Sequence, residues 1–584
     1  MQNIKSRYII SFFLIFTIGS FLYFEINYRY WTSFMEQYVL FLYKQSYFIQ
    51  FLKQPGGLNG YIAEFFTQFF YLPYAASVIL SLFIDGISWL FYLFVKRCGG
   101  RIFLPLLLFP CCMFWIFPLE SIASIIAIFI SFLFVDGYTY IPKPVWRYIT
   151  GSLLITFTYY LFAPAHFFIV LFLCIYEFSI HARKKYLISF CWVVYSFLLP
   201  LVNLRLFYIL PMREVFLSRH LFHPEFPVPF SFFWIWFSFP VIAIFLRLIG
   251  NRRFRFLQQK YMYPASWIIL ICFIGFTILY RKNPLEQAYR YDYYARHHQW
   301  DKIVEDATRV GVKDVSSQRY VNLALSYEGK FNEYLFSFQQ IGLEGLVPAD
   351  PKTRLELIQA SEIAWHLNHI NSSQRFAFVG VLSSERCIQP RLMKRLIETY
   401  LVNEEYRMAE KYIKILEASL FYKKWAYSQR KFLDPVMAES ADWIKKKRDW
   451  SPVHDNMYDL TKAFPVSLAH LLDDHPENKF AFEYAMAYVL LYKDFQTFMY
   501  YMEKMQQSGD SFPVLYQEAI CLYFAAVNRN PEVFRTYPIE TEVYERFVNF
   551  LKSVNRLSPE TLYEQYGNTY YYYAQFIPTP KVNL

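Results

Sequence analysis

The chain has 584 residues, too many for one ordinary domain at roughly 150 residues each. It is 55% hydrophobic and 22% aromatic, and its 18% charged residues fall below the globular norm of about 25%. The net charge of +11 does not point to nucleic acid. Many of the basic residues sit between apolar segments, where they orient helices in a bilayer.

The average conceals two unlike halves. Residues 1–280 are rich in Phe, Leu and Ile with charges in small clusters, whereas 281–584 are studded with Lys, Glu, Asp and Arg. The contrast predicts an all-α protein in which a polytopic transmembrane domain (1–280) precedes a soluble helical-repeat domain (281–584). The 8 cysteines form no disulfide framework. Most of them (Cys98, Cys111, Cys112, Cys174, Cys191, Cys272) lie in or beside apolar segments, where cysteine behaves as a small hydrophobe.

Lys5 and Arg7 precede a first span at about Tyr8–Phe24. That start resembles a signal peptide, but no small-residue cleavage site follows, which predicts an uncleaved helix. Residues 25–70 read as an amphipathic first outer loop. Tyr28, Tyr30 and Trp31 are interface-type aromatics there, and Gln54-Pro55-Gly56-Gly57 breaks the loop into two helical parts. The second span is about Leu72–Val95. Ile102–Phe117 and Ser121–Val135 form a hairpin turning at Pro118-Leu119-Glu120, and Tyr148–Ala163 and Phe167–Ile180 form another at Pro164-Ala165-His166. The seventh span is about Tyr186–Val202, the eighth Phe230–Ile249, and the ninth lies within Tyr263–Leu279.

Basic groups at the N-terminus, Lys96–Arg101, Lys143–Arg147, Arg183–Lys185 and Arg252–Lys260 fall on one side of about nine spans. The positive-inside rule makes that side the cytoplasm. The N-terminus is then inside and 281–584 outside, in the periplasm if the host is a bacterium with an outer membrane.

From Arg281 onward apolar residues recur at three- and four-residue spacing, as in Leu323–Phe338, Leu392–Leu420 and Phe480–Met505. A loose motif of helix end, short turn and aromatic recurs around Trp300, Phe331, Tyr406 and Phe495. It resembles degenerate tetratricopeptide-type hairpins with a period of about 34 residues. Such solenoids present a concave surface to peptides or partner proteins.

No nucleotide loop, GxSxG elbow or HExxH helix is present. The pairs His220/His223 and His366/His369 each have i, i+3 spacing for two ligands on one helix face, yet no acidic or cysteine cluster completes either. The first pair lies in the arginine-bearing loop 203–229, which gives it more weight than the second. Asp85 falls inside the second span, where a carboxylate is either hydrogen-bonded between helices or carries a proton or substrate. Asp136, Glu177 and Arg247 sit near span ends, where snorkelling explains them. Lys445-Lys446-Lys447-Arg448 reads as a solvated helix face.

The outer face is more informative as a set. Glu25 and Glu36 follow the first span, Glu120 caps the first hairpin, and Arg205, Arg213 and Arg219 follow the seventh span. Acids and arginines at a membrane surface suit transfer from a phosphate-linked lipid. A carboxylate would act as general base or hold a divalent metal, and arginines would clamp the pyrophosphate. The layout is similar to membrane glycosyltransferases of the GT-C fold, which use a polyprenyl-phosphate-linked sugar donor. That resemblance implies Glu25 or Glu36 as the first-loop catalytic acid and Glu120 as the second-loop acid. It implies Arg205, Arg213 and Arg219 as the phosphate clamp, and His220 and His223 share their loop as further substrate-binding candidates. The Asp-rich motif usual after the first span is replaced by Glu25-Ile26-Asn27.

A second resemblance covers the whole chain. Phe51-Leu52-Lys53-Gln54-Pro55-Gly56-Gly57-Leu58, Phe482-Glu483-Tyr484-Ala485-Met486-Ala487 and Tyr566-Gly567-Asn568-Thr569-Tyr570 look like an uncharacterised family of bacterial multi-pass membrane proteins with helical tails. Two functions remain in view: an envelope glycosyltransferase, or a non-catalytic envelope scaffold whose solenoid recruits partner proteins. A transporter fits Asp85 but lacks an inverted repeat of spans.

Overall fold

The computed structural model describes residues 2–100, 102–116, 122–180, 186–206, 209–218, 230–250, 259–280, 285–384, 386–453, 464–508, 512–527 and 537–578. The chain divides into two compact units. The first comprises Met1–Glu286 with Ala418–Phe421, and the second Gln287–Glu417 with Tyr422–Leu584. Among the described residues every regular element is a helix.

In the first unit the nine stretches read as spans are helices. They are α1 (Gln2–Asn27), α5 (Ala75–Arg97), α6 (Leu104–Ile116), α7 (Ala123–Thr139), α8 (Pro144–Phe162), α9 (Ala165–Ile180), α10 (Tyr186–Leu206), α12 (Phe230–Gly250) and α13 (Gln259–Tyr280). Three contain segments long and apolar enough to cross a membrane: Arg7–Asn27, Ala75–Arg97 and Tyr186–Leu206. Leu104–Trp115, Ala123–Thr139, Ala165–Ile180, Phe233–Ile249 and Pro264–Leu279 are apolar but shorter. The rise per residue explains the difference. The 13 residues of α6 reach only ~20 Å at 1.5 Å each, against a hydrocarbon core of ~30 Å.

The outward faces of these helices are as apolar as their inward ones. Ile10, Leu14, Ile18 and Leu22 run along the exposed side of α1 at four-residue spacing, while Phe12, Phe16 and Tyr23 are buried. A helix hydrophobic all round is suited to a core or to lipid. Aromatic rings fill the interior: Phe16 and Tyr23 stack on Trp115 at 5.6 and 5.0 Å, and Phe132 meets Phe168 and Phe172 at 5.3 and 4.9 Å. α1 packs on α5 and α13, α5 on α7, α7 on α9, and α9 on α8 and α10.

Five helix ends gather on one side of this unit through polar contacts. Arg97, ending α5, pairs with Asp136 of α7 at 2.7 Å. Arg147, in the first turn of α8, grips Glu177 of α9 with Nε–Oε1 at 2.8 Å and Nη2–Oε2 at 3.4 Å. Tyr138 donates to the same carboxylate at 2.9 Å. Arg247 of α12 donates to the Phe178 and Ser179 carbonyls at 3.1 and 2.9 Å. Glu177 is fully buried, so snorkelling does not describe it: pairing does. A carboxylate held away from water is tolerated when a guanidinium and a phenol satisfy its oxygens. Asp85 lies near the Thr17 side chain of α1, while its Oδ1 is buried with no hydrogen-bond partner among the described residues.

The second unit begins with α14 (Glu286–Arg296), whose first residue belongs to the first unit. It continues through α15 (Trp300–Val310), α16 (Val315–Tyr327), α17 (Phe331–Tyr334), α18 (Arg354–His366), α19 (Ile370–Leu382), α20 (Pro390–Val402) and α21 (Tyr406–Leu416). Then follow α22 (Lys423–Gln429), α23 (Pro435–Glu439), α24 (Asp442–Asp449), α25 (Phe464–Asp474), α26 (Lys479–Tyr492) and α27 (Phe495–Ser508). The last four are α28 (Val514–Val527), α29 (Thr541–Ser553), α30 (Pro559–Tyr566) and α31 (Tyr570–Phe576). Sequential neighbours pack together, α15 on α16 and α18 through α21 each on the next.

Five of the turns share one geometry. His298, Gly329, Asn368, Glu404 and Lys493 all have φ between 55° and 68°. In each turn this residue's N–H bonds the carbonyl three back, and the next N–H bonds the carbonyl five back its own position: Gln299 to Tyr294, Lys330 to Leu325, His369 to Ala364, Glu405 to Tyr400 and Asp494 to Val489. That is the Schellman closure, which satisfies the last carbonyls of a helix. Two residues after each left-handed position a large side chain opens the next helix: Trp300, Phe331, Ile370, Tyr406 and Phe495. The recurring turn-plus-aromatic motif of the sequence is this structure.

Candidate functional site

The segment between α1 and α5 folds into α2 (Arg29–Glu36), α3 (Gln45–Leu52) and α4 (Gly57–Thr67), ending in a 3-10 turn at Gln68–Tyr71. Two adjacent glycines make the bend before α4. Gly56 has φ 75° and donates its N–H to the Tyr160 carbonyl at 2.9 Å. A Cβ there would meet the Ala163 carbonyl oxygen at 2.6 Å and Ser218 Oγ at 2.8 Å, and one on Gly57 would lie 1.7 Å from the Phe51 oxygen. Asn59 fixes the next turn by donating to the Ala123 carbonyl at 3.0 Å, so α4 lies against α7 and α8.

This bend brings two of the candidate regions together. Ser218 directly follows α11 (Met212–Leu217), the short helix after α10 that carries Arg213, and it is buried against the first loop at Gly56. Arg213 is half-buried, and Arg205, in the last turn of α10, is exposed. Arg219, His220, His223 and Glu120 lie outside the described residues.

The acids of the first loop occupy distinct settings. Glu25, in the last turn of α1, accepts from Ser77 Oγ of α5 at 3.0 Å and lies 3.4 Å from Arg29. Glu36 ends α2, is 2% exposed and accepts from the Gln37 amide. A third, Glu64, was missed by sequence reasoning: it is buried on α4 and accepts from the Tyr47 phenol. Its signal is an acid within the otherwise uncharged stretch Gly57–Phe70. A narrow cavity of about 10 Å³ lies among Phe24, Trp31, Met35, Leu80 and Phe114. It is apolar, and neither Glu25 nor Glu36 lines it.

His166 is a further titratable group of the first unit. It is fully buried at the start of α9, with its ring 5.1 Å from that of Tyr159 and the Ser196 backbone beside it. Among the described residues no group of three or more His, Cys, Asp or Glu side chains has metal-binding geometry.

The second unit holds a buried polar network that periodicity did not reveal. Ser326 Oγ lies 2.9 Å from His366 Nε2 and donates to Glu483 Oε2 at 3.0 Å. Burial pushes Glu483 up to about 7 and His366 down to about 3, so the imidazole is neutral. The trio is not a catalytic relay. A nucleophile's base is oriented by the third group, whereas here the serine stands between the other two and is itself fully buried. His366 thus joins the core rather than a metal pair with His369.

The basic run on α24 is also divided. Lys445 and Lys446 are exposed. Lys447 donates to Asn368 Oδ1 at 2.6 Å, and Arg448 donates to the Leu401 and Val402 carbonyls at 2.9 and 3.0 Å. Two of the four cations therefore satisfy the chain ends of neighbouring helices, and only two form a solvated face.

A cleft of about 600 Å³ opens on the second unit between Val304, Thr308, Gly311, Lys330, Phe338 and Tyr563. It mixes polar and apolar groups at a size suited to a short peptide segment or small ligand.

The family comparison covers nearly the whole molecule. Residues 5–577 match DUF6057, a family of unknown function, and the chain belongs to that family. No curated protein matches the sequence, and no solved structure matches the fold.

Proposed function

We propose that this chain is an integral membrane protein of the bacterial cell envelope that transfers a sugar from a polyprenyl-phosphate-linked donor at the outer face. The observation that carries the reading is the junction at Gly56. There the acid-bearing first loop closes against Ser218, at the end of the segment that carries Arg213. A donor pyrophosphate needs cations beside a carboxylate that accepts a proton or holds a divalent metal, and these two loops supply both kinds of group. Glu25, Glu36 and Glu120 are the candidate acids. Arg205, Arg213 and Arg219, with His220 and His223, are the donor-binding set. The nine helices α1, α5–α10, α12 and α13 serve as about nine spans with the N-terminus cytoplasmic. The gathered ends bearing Arg97, Arg147 and Arg247 then face the cytoplasm, as the positive-inside rule favours.

The test uses the full chain in proteoliposomes with a polyprenyl-phosphate-linked sugar and follows release of the sugar from the lipid. Glu36→Gln and Arg213→Gln should each lower release at least tenfold, with Lys445→Gln unchanged. Absence of release by the native chain, or full release by both variants, ends the reading. A reporter fused after Leu584 that is active only in the cytoplasm would end the topology.

The cleft of the second unit favours a second reading, a scaffold in which an extracytoplasmic helical solenoid recruits partner proteins. A chain with Glu25→Gln and Glu36→Gln that fully restores function to a deletion strain would favour this reading over the first.

A further inference from the structure

Two extended segments border the cleft of the second unit, and a glutamine holds each of them. Gly311, at φ 76°, turns the chain out of α15. Gln287 of α14, buried, then donates from Nε2 to the Gly311 carbonyl at 2.7 Å and accepts from the Lys313 N–H at 3.0 Å. Gln318 of α16, fully buried, treats the stretch after the 3-10 turn Leu335–Ser337 in the same way. It donates to the Gln339 carbonyl at 2.9 Å and accepts from the Ile341 N–H at 2.8 Å. Each side-chain amide thus bonds the carbonyl of one residue and the N–H two residues on, as the backbone of a parallel neighbouring strand does.

Backbone groups alternate between the two edges of an extended chain, so the N–H and C=O of Val312 turn away from Gln287. Neither has a partner among the described residues. Val312 is half-buried and lines the cleft with Gly311, Phe338 and Gln339. An unpaired N–H and C=O on an extended edge are a template for another chain. Val304, Ala307 and Phe338 make the lining apolar on one part, and the tyrosines Tyr334 and Tyr563 are exposed. Lys330, the one charged side chain among the described lining residues, lies 3.7 Å from Glu328.

We propose that the cleft docks an extended, uncharged segment of a partner protein, which pairs its own N–H and C=O with those of Val312 and lays an apolar side chain against Val304, Ala307 and Phe338. Every residue of a polypeptide other than proline carries one donor and one acceptor on its main chain, which is what Val312 lacks. A phosphate group accepts but does not donate, so a lipid headgroup would leave the Val312 carbonyl unmet. Edge pairing takes its affinity from main-chain bonds and its selectivity from pockets for alternate side chains. A lining whose one cation already lies beside a carboxylate gives a charged segment no advantage. The inference rests on the scaffold reading, which it deepens by naming where a partner is held and in what form.

The probe is a fluorescent, end-capped peptide of about eight alternating Val and Ser residues, roughly 26 Å long when extended, titrated against the full chain in neutral-lipid nanodiscs. It should bind saturably and hold its affinity as salt rises. The same peptide N-methylated at alternate residues keeps its side chains but loses main-chain donors, and should bind about tenfold more weakly. Val312→Pro removes the N–H of the edge and should weaken binding about tenfold, whereas Val312→Ala keeps it and should bind like the native chain. Lys445→Gln, on α24, should leave binding within about twofold. No saturable binding by the native chain overturns the proposal, as does equal binding of the N-methylated peptide or by the Val312→Pro chain. If Val312→Pro does not fold, Thr308→Trp fills the cleft from an exposed position of α15, and undiminished binding by that folded chain overturns it instead. Displacement of the peptide by a neutral oligosaccharide at lower concentration than by unlabelled peptide would assign the cleft to glycans, and self-association of the native chain that the peptide reverses would assign it to a second copy. Either result overturns the partner-peptide assignment. The complementation test of the scaffold reading uses variants of the first unit alone, so the two can fail separately.

Discussion

Two buried carboxylates, one in each unit, are satisfied by different partners. In the first, Arg147 and Tyr138 hold Glu177, joining α8, α7 and α9 near their ends. In the second, Ser326 donates to Glu483 and meets His366, linking the C-terminal ends of α16 and α18 to α26. The difference is one of charge. A guanidinium offsets the charge of a buried carboxylate, whereas a hydroxyl and a neutral imidazole leave desolvation to favour the protonated acid.

The sharpest way to break this contrast is to uncouple the end cluster. Arg147→Ala leaves Glu177 buried without its guanidinium and should cost about 3–5 kcal/mol. Arg147→Met with Glu177→Leu should recover most of that loss. Thermal unfolding of the detergent-solubilised chain checks both, and a single variant as stable as the native chain would mean the pair is solvated. In the second unit the corresponding lever is pH. Glu483 is raised from 4.5 to about 7, so the folded state holds its proton longer than the unfolded one. Stability from this group is full below about pH 4.5, falls as pH rises, and is lost above about 7. The difference is on the order of 3 kcal/mol. Glu483→Gln should flatten that part of the pH–stability curve and leave the second unit more stable than native at pH 8; parallel curves would refute the assignment.

Smaller effects test the turns on each side of the comparison. Gly56→Ala forces a side chain into a left-handed position facing the Ala163 carbonyl. About 1–3 kcal/mol of strain is expected, seen as faster proteolysis within 37–44 and a lower unfolding midpoint. Glu404→Gly goes the other way, since Glu404 is a non-glycine residue at φ 61°. It should stabilise the second unit by roughly 0.5–1 kcal/mol, measured as a raised midpoint in denaturant.

Helix positions were legible in the sequence because apolar runs and polar breaks mark them directly, as at Pro164 between α8 and α9. The glycine bend at Gln54–Gly57 was equally legible, since only glycine tolerates its geometry. Span length was less so: the stretch around α6 reads as apolar throughout, and among the described residues its helix has 13 residues. Pairing was not legible at all. Nothing in the local sequence says that Glu177 finds Arg147, that Lys447 turns inward while Lys446 faces solvent, or that Glu64 meets Tyr47. Those partners are set by packing between helices distant in sequence. Within the candidate site, the sequence singled out Glu25 and Glu36 by position and could not anticipate that Glu36 is withdrawn from solvent.

The five matching turns of the second unit bear on how it folds. Each closes through bonds reaching no more than five residues back, so every hairpin can form before its neighbours exist. Low contact order of this kind favours rapid, local folding. The contacts that tie one hairpin to a distant one, such as Ser326 to Glu483 and Arg391 to Asp292, join segments far apart in the chain and would form after the turns have closed.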